Sequence, residues 1–155
     1  MGKFKTIAIK KVADELEVPL TIKSVFIDEE NFPESGIIIS AVDSMEVREL
    51  IFKKIKYKLI YAYFIDIRMG AKIGMVFYIN PMHPADVRYY ENNIYSDTEA
   101  LVSECGITQT LAPTAMNLAS LAIWGLINYL NGVSNPNEIL IDYENFNLIK
   151  IERGK

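Results

Sequence analysis

The stretch that decides the fold is 36-GIIISAVDSMEVRELIF-52. Its first half, Ile37-Ile38-Ile39, is apolar without alternation, the pattern of a strand covered on both faces. Its second half changes period. Val47, Leu50, Ile51 and Ile55 recur at helical spacing, which predicts a helix over residues 44–56. A strand over 37–41 therefore runs straight into a helix, with Asp43 at the junction. A carboxylate at the C-terminal end of a parallel strand stands where open α/β sheets place their ligands. Asp43-Ser44-Met45-Glu46 is also a capping-box pattern, with Glu46 at the third helical position. Ligand contact and helix cap are both open readings of Asp43, and the two are compatible.

Upstream, Ile9, Val12, Ala13 and Leu16 make one face of an amphipathic helix over residues 3–17, which Pro19 stops. Residues 21–27 alternate and are rich in β-branched types, which predicts a strand. An acidic loop follows over 28–36, with room for a helical turn at 29–32. Downstream, residues 58–67 and 72–79 are two nearly all-apolar strands. The short turn at Arg68-Met69-Gly70 makes them an antiparallel pair. A loop at 80–84 leads to short helices over 85–92 and 96–104. The helix over 113–130 is the most apolar in the chain, so its full burial is expected. Pro113 suits its first turn, and Asn131-Gly132 closes it. Residues 138–143 and 147–152 read as a terminal hairpin. Early alternation of helices and buried strands, then an antiparallel addition, gives an α/β sheet with a mixed edge in one domain over 1–155.

Composition narrows the function. The chain has 155 residues, half of them hydrophobic and 23% charged, so a core can form and disorder is not expected. The formal charge is −4, and basic residues thin out after the first eleven, so no nucleic-acid face is expected. One cysteine rules out an internal disulfide and a clustered-thiol zinc site, and one histidine rules out a histidine-rich metal site. The longest apolar run, 118–130, is shorter than the roughly 20 residues that span a bilayer. A cytoplasmic protein without a membrane segment is the expectation.

Beyond composition, an ordered series of motifs resembles one family. Gly2-Lys3-Phe4-Lys5 comes first. After a helix and a strand follows Ala41-Val42-Asp43-Ser44-Met45-Glu46-Val47-Arg48. Tyr63-Phe64-Ile65-Asp66-Ile67-Arg68-Met69-Gly70 continues the series, and Cys105-Gly106-Ile107 leads into the apolar helix from Ala115 to Gly132. Together these resemble the ThiF/MoeB/HesA family, relatives of the ubiquitin-activating enzymes. The resemblance covers residues 1–132 and leaves 133–155 without a family signature. It implies a Rossmann-like mixed sheet, the C-terminal two-thirds of a ThiF-type activating domain with an antiparallel edge. It also implies an adenylyltransferase that activates the C-terminal carboxylate of a ubiquitin-like protein, a sulfur-carrier protein or a peptide with Mg-ATP. Lys5 matches the family lysine on the ATP phosphates. Asp43 matches the aspartate at the nucleotide and magnesium site, and Arg48 the arginine of the Asp-Asn-x-x-x-Arg segment, with Ser44 in place of the asparagine.

The sequence departs from the family in two ways. The family's glycine-rich strand-to-helix turn lies upstream of the Gly-Lys-x-Lys position, where this chain starts, and the zinc-holding CxxC pairs are absent. Gly70 and Gly74 lack the GxGxxG spacing. The expectation is a component or truncated form of such an enzyme, inactive alone, either with the missing turn supplied by a partner chain or an upstream segment or with catalysis lost; a homo-oligomer is also expected. The alternative is a non-catalytic module that dimerises or binds a ubiquitin-like partner.

Each further candidate has a plainer structural reading beside the functional one. Asp66 and Arg68 lie two apart on one strand and share a face, so they are candidates for substrate contact or a salt bridge. Cys105 is a candidate nucleophile or a small buried residue, and no basic neighbour lowers its pKa. His83, flanked by Pro81 and Pro84, reads as an exposed loop residue. The tyrosines at 57, 61, 63, 78, 89 and 90 read mainly as sheet and core packing.

Overall fold

The computed structural model describes residues 5–25, 27–28, 30–70, 72–95 and 111–152. The chain divides into two units, Met1–Pro33 and Glu34–Lys155.

In the first unit, α1 spans Lys5–Glu15 and buries only Ala13. The strand expected over 21–27 does not form among the described residues there. Alternation of apolar residues favours a strand only when a ladder partner takes up its backbone groups. Further on, Asp28 closes a turn, accepting from the amides of Glu30 at 2.9 Å and Asn31 at 2.8 Å. These bonds hold the Asp28 carboxyl below its ordinary pKa, the Asn31 amide and side chain contributing most.

The second unit is a mixed five-stranded sheet: β1 (Gly36–Ser40), β2 (Tyr61–Met69), β3 (Ile73–Ile79), β4 (Glu138–Asp142) and β5 (Asn147–Ile151), in spatial order β1-β2-β3-β4-β5. β1 and β2 are parallel, joined through α2 (Met45–Ile55), and every other pairing is antiparallel. The short turn after Arg68 does pair β2 with β3, and the C-terminal hairpin forms as β4–β5. Pro84 opens α3 (Pro84–Glu91), as a ring with preset φ suits a first turn, and α4 spans Ala112–Leu130.

Alternation along β2 and β3 sends side chains to two cores. Tyr63, Ile65, Val76 and Tyr78 pack with Leu118 and Ala122 of α4. On the other face Phe64 and Phe77 meet Phe52 of α2 and Tyr90 of α3, with ring centroids 4.3–5.7 Å apart. The unit is therefore layered, with α4 on one side of the sheet and α2 and α3 on the other. Gly125 fixes how closely α4 sits, since a Cβ there would lie 2.0 Å from Cε1 of Tyr78. After α4, Gly132 takes φ +71° and the Val133 amide bonds the Asn128 carbonyl at 2.8 Å, the expected C-terminal closure. Buried Asn135 then ties the loop back, donating to the Gly125 carbonyl at 2.8 Å and the Tyr63 hydroxyl at 3.1 Å.

Two burial expectations are corrected. Ile37-Ile38-Ile39 is not covered on both faces: Ile39 is exposed on one of them. Nor is α4 buried all round. Thr114, Leu118, Ala122 and Gly125 face the sheet, while Met116, Ile123, Trp124, Ile127 and Leu130 are exposed. A helix laid on one sheet has one face to give it, whatever the composition of the other.

Candidate functional site

The site is the turn between β1 and α2. Ser44 adopts extended backbone, and its hydroxyl accepts from the Val47 amide at 3.3 Å. Its carbonyl takes the first helical bond, from Arg48 at 3.2 Å. The cap is thus Ser44 and not Asp43, which corrects the capping-box reading. Two adjacent residues could cap, and the helix starts at the later one. Asp43 is left exposed, with no hydrogen bond or ion pair among the described residues. Its carboxylate sits just before a helix N-terminus, where the backbone dipoles favour negative charge.

What holds this turn is Arg48. One terminal nitrogen, Nη2, donates to the Val42 carbonyl, immediately before Asp43. The other, Nη1, donates to Asp66 Oδ1 and, at 3.0 Å, to the Ile67 carbonyl. Arg48 is buried, and both terminal nitrogens are engaged within the fold. It braces the turn between β1 and α2 from beneath, as a strut between α2 and β2.

Asp66 is fully buried and collects three donors: Arg48, the Arg68 Nε at 2.8 Å and the Tyr90 hydroxyl at 2.9 Å. Arg68 also donates from Nη1 to the Asn93 carbonyl at 2.6 Å, and its guanidinium lies 4.2 Å from the Phe77 ring centroid. Its Nη2 has no partner among the described residues, and neither has the buried Ser40 hydroxyl, on the β1 residue paired with Asp66. Burial alone would lower the Arg68 pKa, but Asp66 and Tyr90 outweigh it and hold the pKa above its ordinary value. Burial, then the Asp66 charge, pushes the Tyr90 pKa above its ordinary value. Glu138, also buried, accepts from the Tyr89 hydroxyl at 2.7 Å. Asp66 thus meets two buried arginines, and each buried charge of this cluster is paired or hydrogen-bonded.

The structure brings Asp43, Arg48, Asp66 and Arg68 to one end of the parallel pair and gives them different work. Asp43 meets solvent; the other three bond one another or backbone beneath it. Lys5 opens α1 and is exposed in the first unit. Cys105 lies outside the described residues. His83 is exposed, as expected, and its Nδ1 pairs with buried Asp86 at 2.9 Å. Neither Tyr90 nor Glu138 stands out in the sequence as a polar partner. Nothing at position 90 distinguishes it from Tyr89, and only three-dimensional packing shows which hydroxyl reaches Asp66.

Asp43 fits magnesium in one respect. Mg²⁺ takes one or two carboxylates and fills its remaining positions with water and phosphate oxygens. Among the described residues there is no group of three or more His, Cys, Asp or Glu that could hold a metal ion alone. No described helix is long and apolar enough to cross a membrane. No protein-family model matches the chain, and no curated protein matches it either.

Proposed function

We propose that the chain is the Asp43-bearing part of a ThiF-type adenylyltransferase, a cytoplasmic component that activates the C-terminal carboxylate of a ubiquitin-like or sulfur-carrier protein or peptide. Its sheet is then the C-terminal two-thirds of a Rossmann-like domain. In that reaction a carboxylate oxygen bonds the α-phosphorus of ATP, and pyrophosphate leaves with the electron pair of the broken bond. Magnesium, when bound, would neutralise phosphate charge. Asp43 would hold it, and Arg48 and Ser44 would fix the turn that presents Asp43. On this reading a glycine-rich phosphate cradle would have to come from a partner chain or an upstream segment.

The observation that carries this reading is the free, exposed carboxylate of Asp43 on a turn locked from below. The test is a titration of the isotope-labelled protein with Mg-ATP, following the amides of residues 42–47. Saturable shifts there, abolished by Asp43→Ala, are expected. Unmoved amides at millimolar Mg-ATP would refute it.

A second reading is favoured by the edge position of β1 among the described strands and by the apolar outer face of α4. On this reading the unit is an interaction module that binds a ubiquitin-like partner or a second copy. Asp43→Ala would then leave partner binding intact.

A further inference from the structure

The exposed side of α4 is patterned. Met116, Ser120, Ile123, Ile127 and Leu130 are all exposed and follow one another at steps of 4, 3, 4 and 3 residues. That alternation is the 3.5-residue period of a helix-pairing seam. The sheet-facing residues Thr114, Leu118, Ala122 and Gly125 occupy the other side. The helix therefore carries two seams, of which the sheet uses one. Trp124, beside the outer seam, is 60% exposed, Met116 74% and Leu130 67%. Isolated exposed apolar residues are ordinary; a stripe of this kind, broken by Ser120 alone, marks an interface.

The occupant follows from charge and area. Ala112–Leu130 contains no charged residue. Two copies of a chain with net charge −4 repel over most of their surfaces, but not where two such helices meet. Met116, Ile123, Ile127 and Leu130 of the seam with the adjoining Trp124, 38–74% exposed, offer on the order of 500 Å² per copy. A pair would bury about 1,000 Å², below the roughly 1,200 Å² at which stable interfaces begin and in the range of weak, reversible association. We infer that the outer seam of α4 pairs with the same seam of a second copy, in a two-fold dimer of micromolar strength. The inference deepens the second reading above and is independent of nucleotide binding at Asp43.

The dimer can be followed by sedimentation equilibrium and by the emission of Trp124, the single tryptophan. With rising concentration the mass should double and the emission shift to the blue. Ile123→Glu should weaken association by about tenfold or more, with an unchanged circular dichroism spectrum because the residue is half-exposed. Ile123→Lys should do the same, and mixing the two variants should restore association, because only self-pairing sets one position 123 near the other. A monomeric wild type at high concentration would overturn the inference. So would a dimer indifferent to Ile123→Glu, or a Glu/Lys mixture that stays dissociated. Ile127→Glu provides a second variant should Ile123→Glu fail to fold.

Discussion

Replacing Asp66 by Asn tests the account of the buried charges most directly. The change preserves shape and removes one unit of charge from a site with no solvent access. Arg48 and Arg68 stay in place, 5% and 6% exposed. Their shared counter-ion is gone, and the new amide nitrogen faces a donor where an acceptor stood. Tyr90 also loses an acceptor on one side of the new group. Breaking a buried pair by removing one partner costs about 3–5 kcal/mol. A domain of this size has a total stability of about 5–15 kcal/mol, so the variant should stand at the margin of folding. Urea unfolding followed by circular dichroism gives the difference. A second variant separates charge from packing: Arg48→Met, Asp66→Leu and Arg68→Met together remove all three charges and should recover part of the loss. The recovery is incomplete because Arg48 also ties down the Val42 and Ile67 carbonyls. An Asp66→Asn protein within about 1 kcal/mol of wild type, a change typical of less critical positions, would refute the reasoning.

Three further outcomes are expected. Ser44→Ala should lower stability by about 1 kcal/mol in urea unfolding, while Asp43→Ala, away from the cap, should stay within about 0.5 kcal/mol. Gly125→Ala should cost about 1–3 kcal/mol, because its methyl group meets the Tyr78 ring, and near-ultraviolet dichroism of the tyrosines should report the displaced ring. Stability should fall in alkali: Tyr90, buried and beside Asp66, has a pKa raised from 10.0, so the unfolded chain loses its proton first. Its contribution is whole below pH 10 and declines as pH rises toward the folded pKa. By about pH 11 Tyr90 alone should remove about 1 kcal/mol, read from urea midpoints across pH and absent in Tyr90→Phe.

Local pattern made the second unit's elements legible. Apolar runs marked β1, β2 and β3, the shift to helical spacing after Ser40 marked α2, and Pro84, Pro113 and Gly132 punctuated the helices. Position along the chain also brought Asp43, Arg48, Asp66 and Arg68 to one end of the parallel pair. What the pattern could not supply was environment. The composition of α4 says that its residues are apolar, but one sheet covers only one side. Asp43 and Ser44 are both good caps, and the choice rests on the turn that Arg48 braces. The spacing of Asp66 and Arg68 placed them on one face. That their charges meet Arg48 and Tyr90 inside depends on residues 18 and 24 positions from Asp66, beyond any local rule.

Strand order has a consequence for how the sheet assembles. Spatial order equals chain order, yet the seams differ in the chain each must close. β2–β3 closes over residues 70–72, whereas β3–β4 closes over residues 80–137. Loop entropy makes the second closure about 2–3 kcal/mol more costly before any contact rewards it. The two hairpins are therefore expected to form early and separately, with the β3–β4 ladder zipping late as α4 settles on Tyr78 and the Asn135 loop docks. Amide exchange would then show β4–β5 opening as a block, at lower free energy than β2–β3.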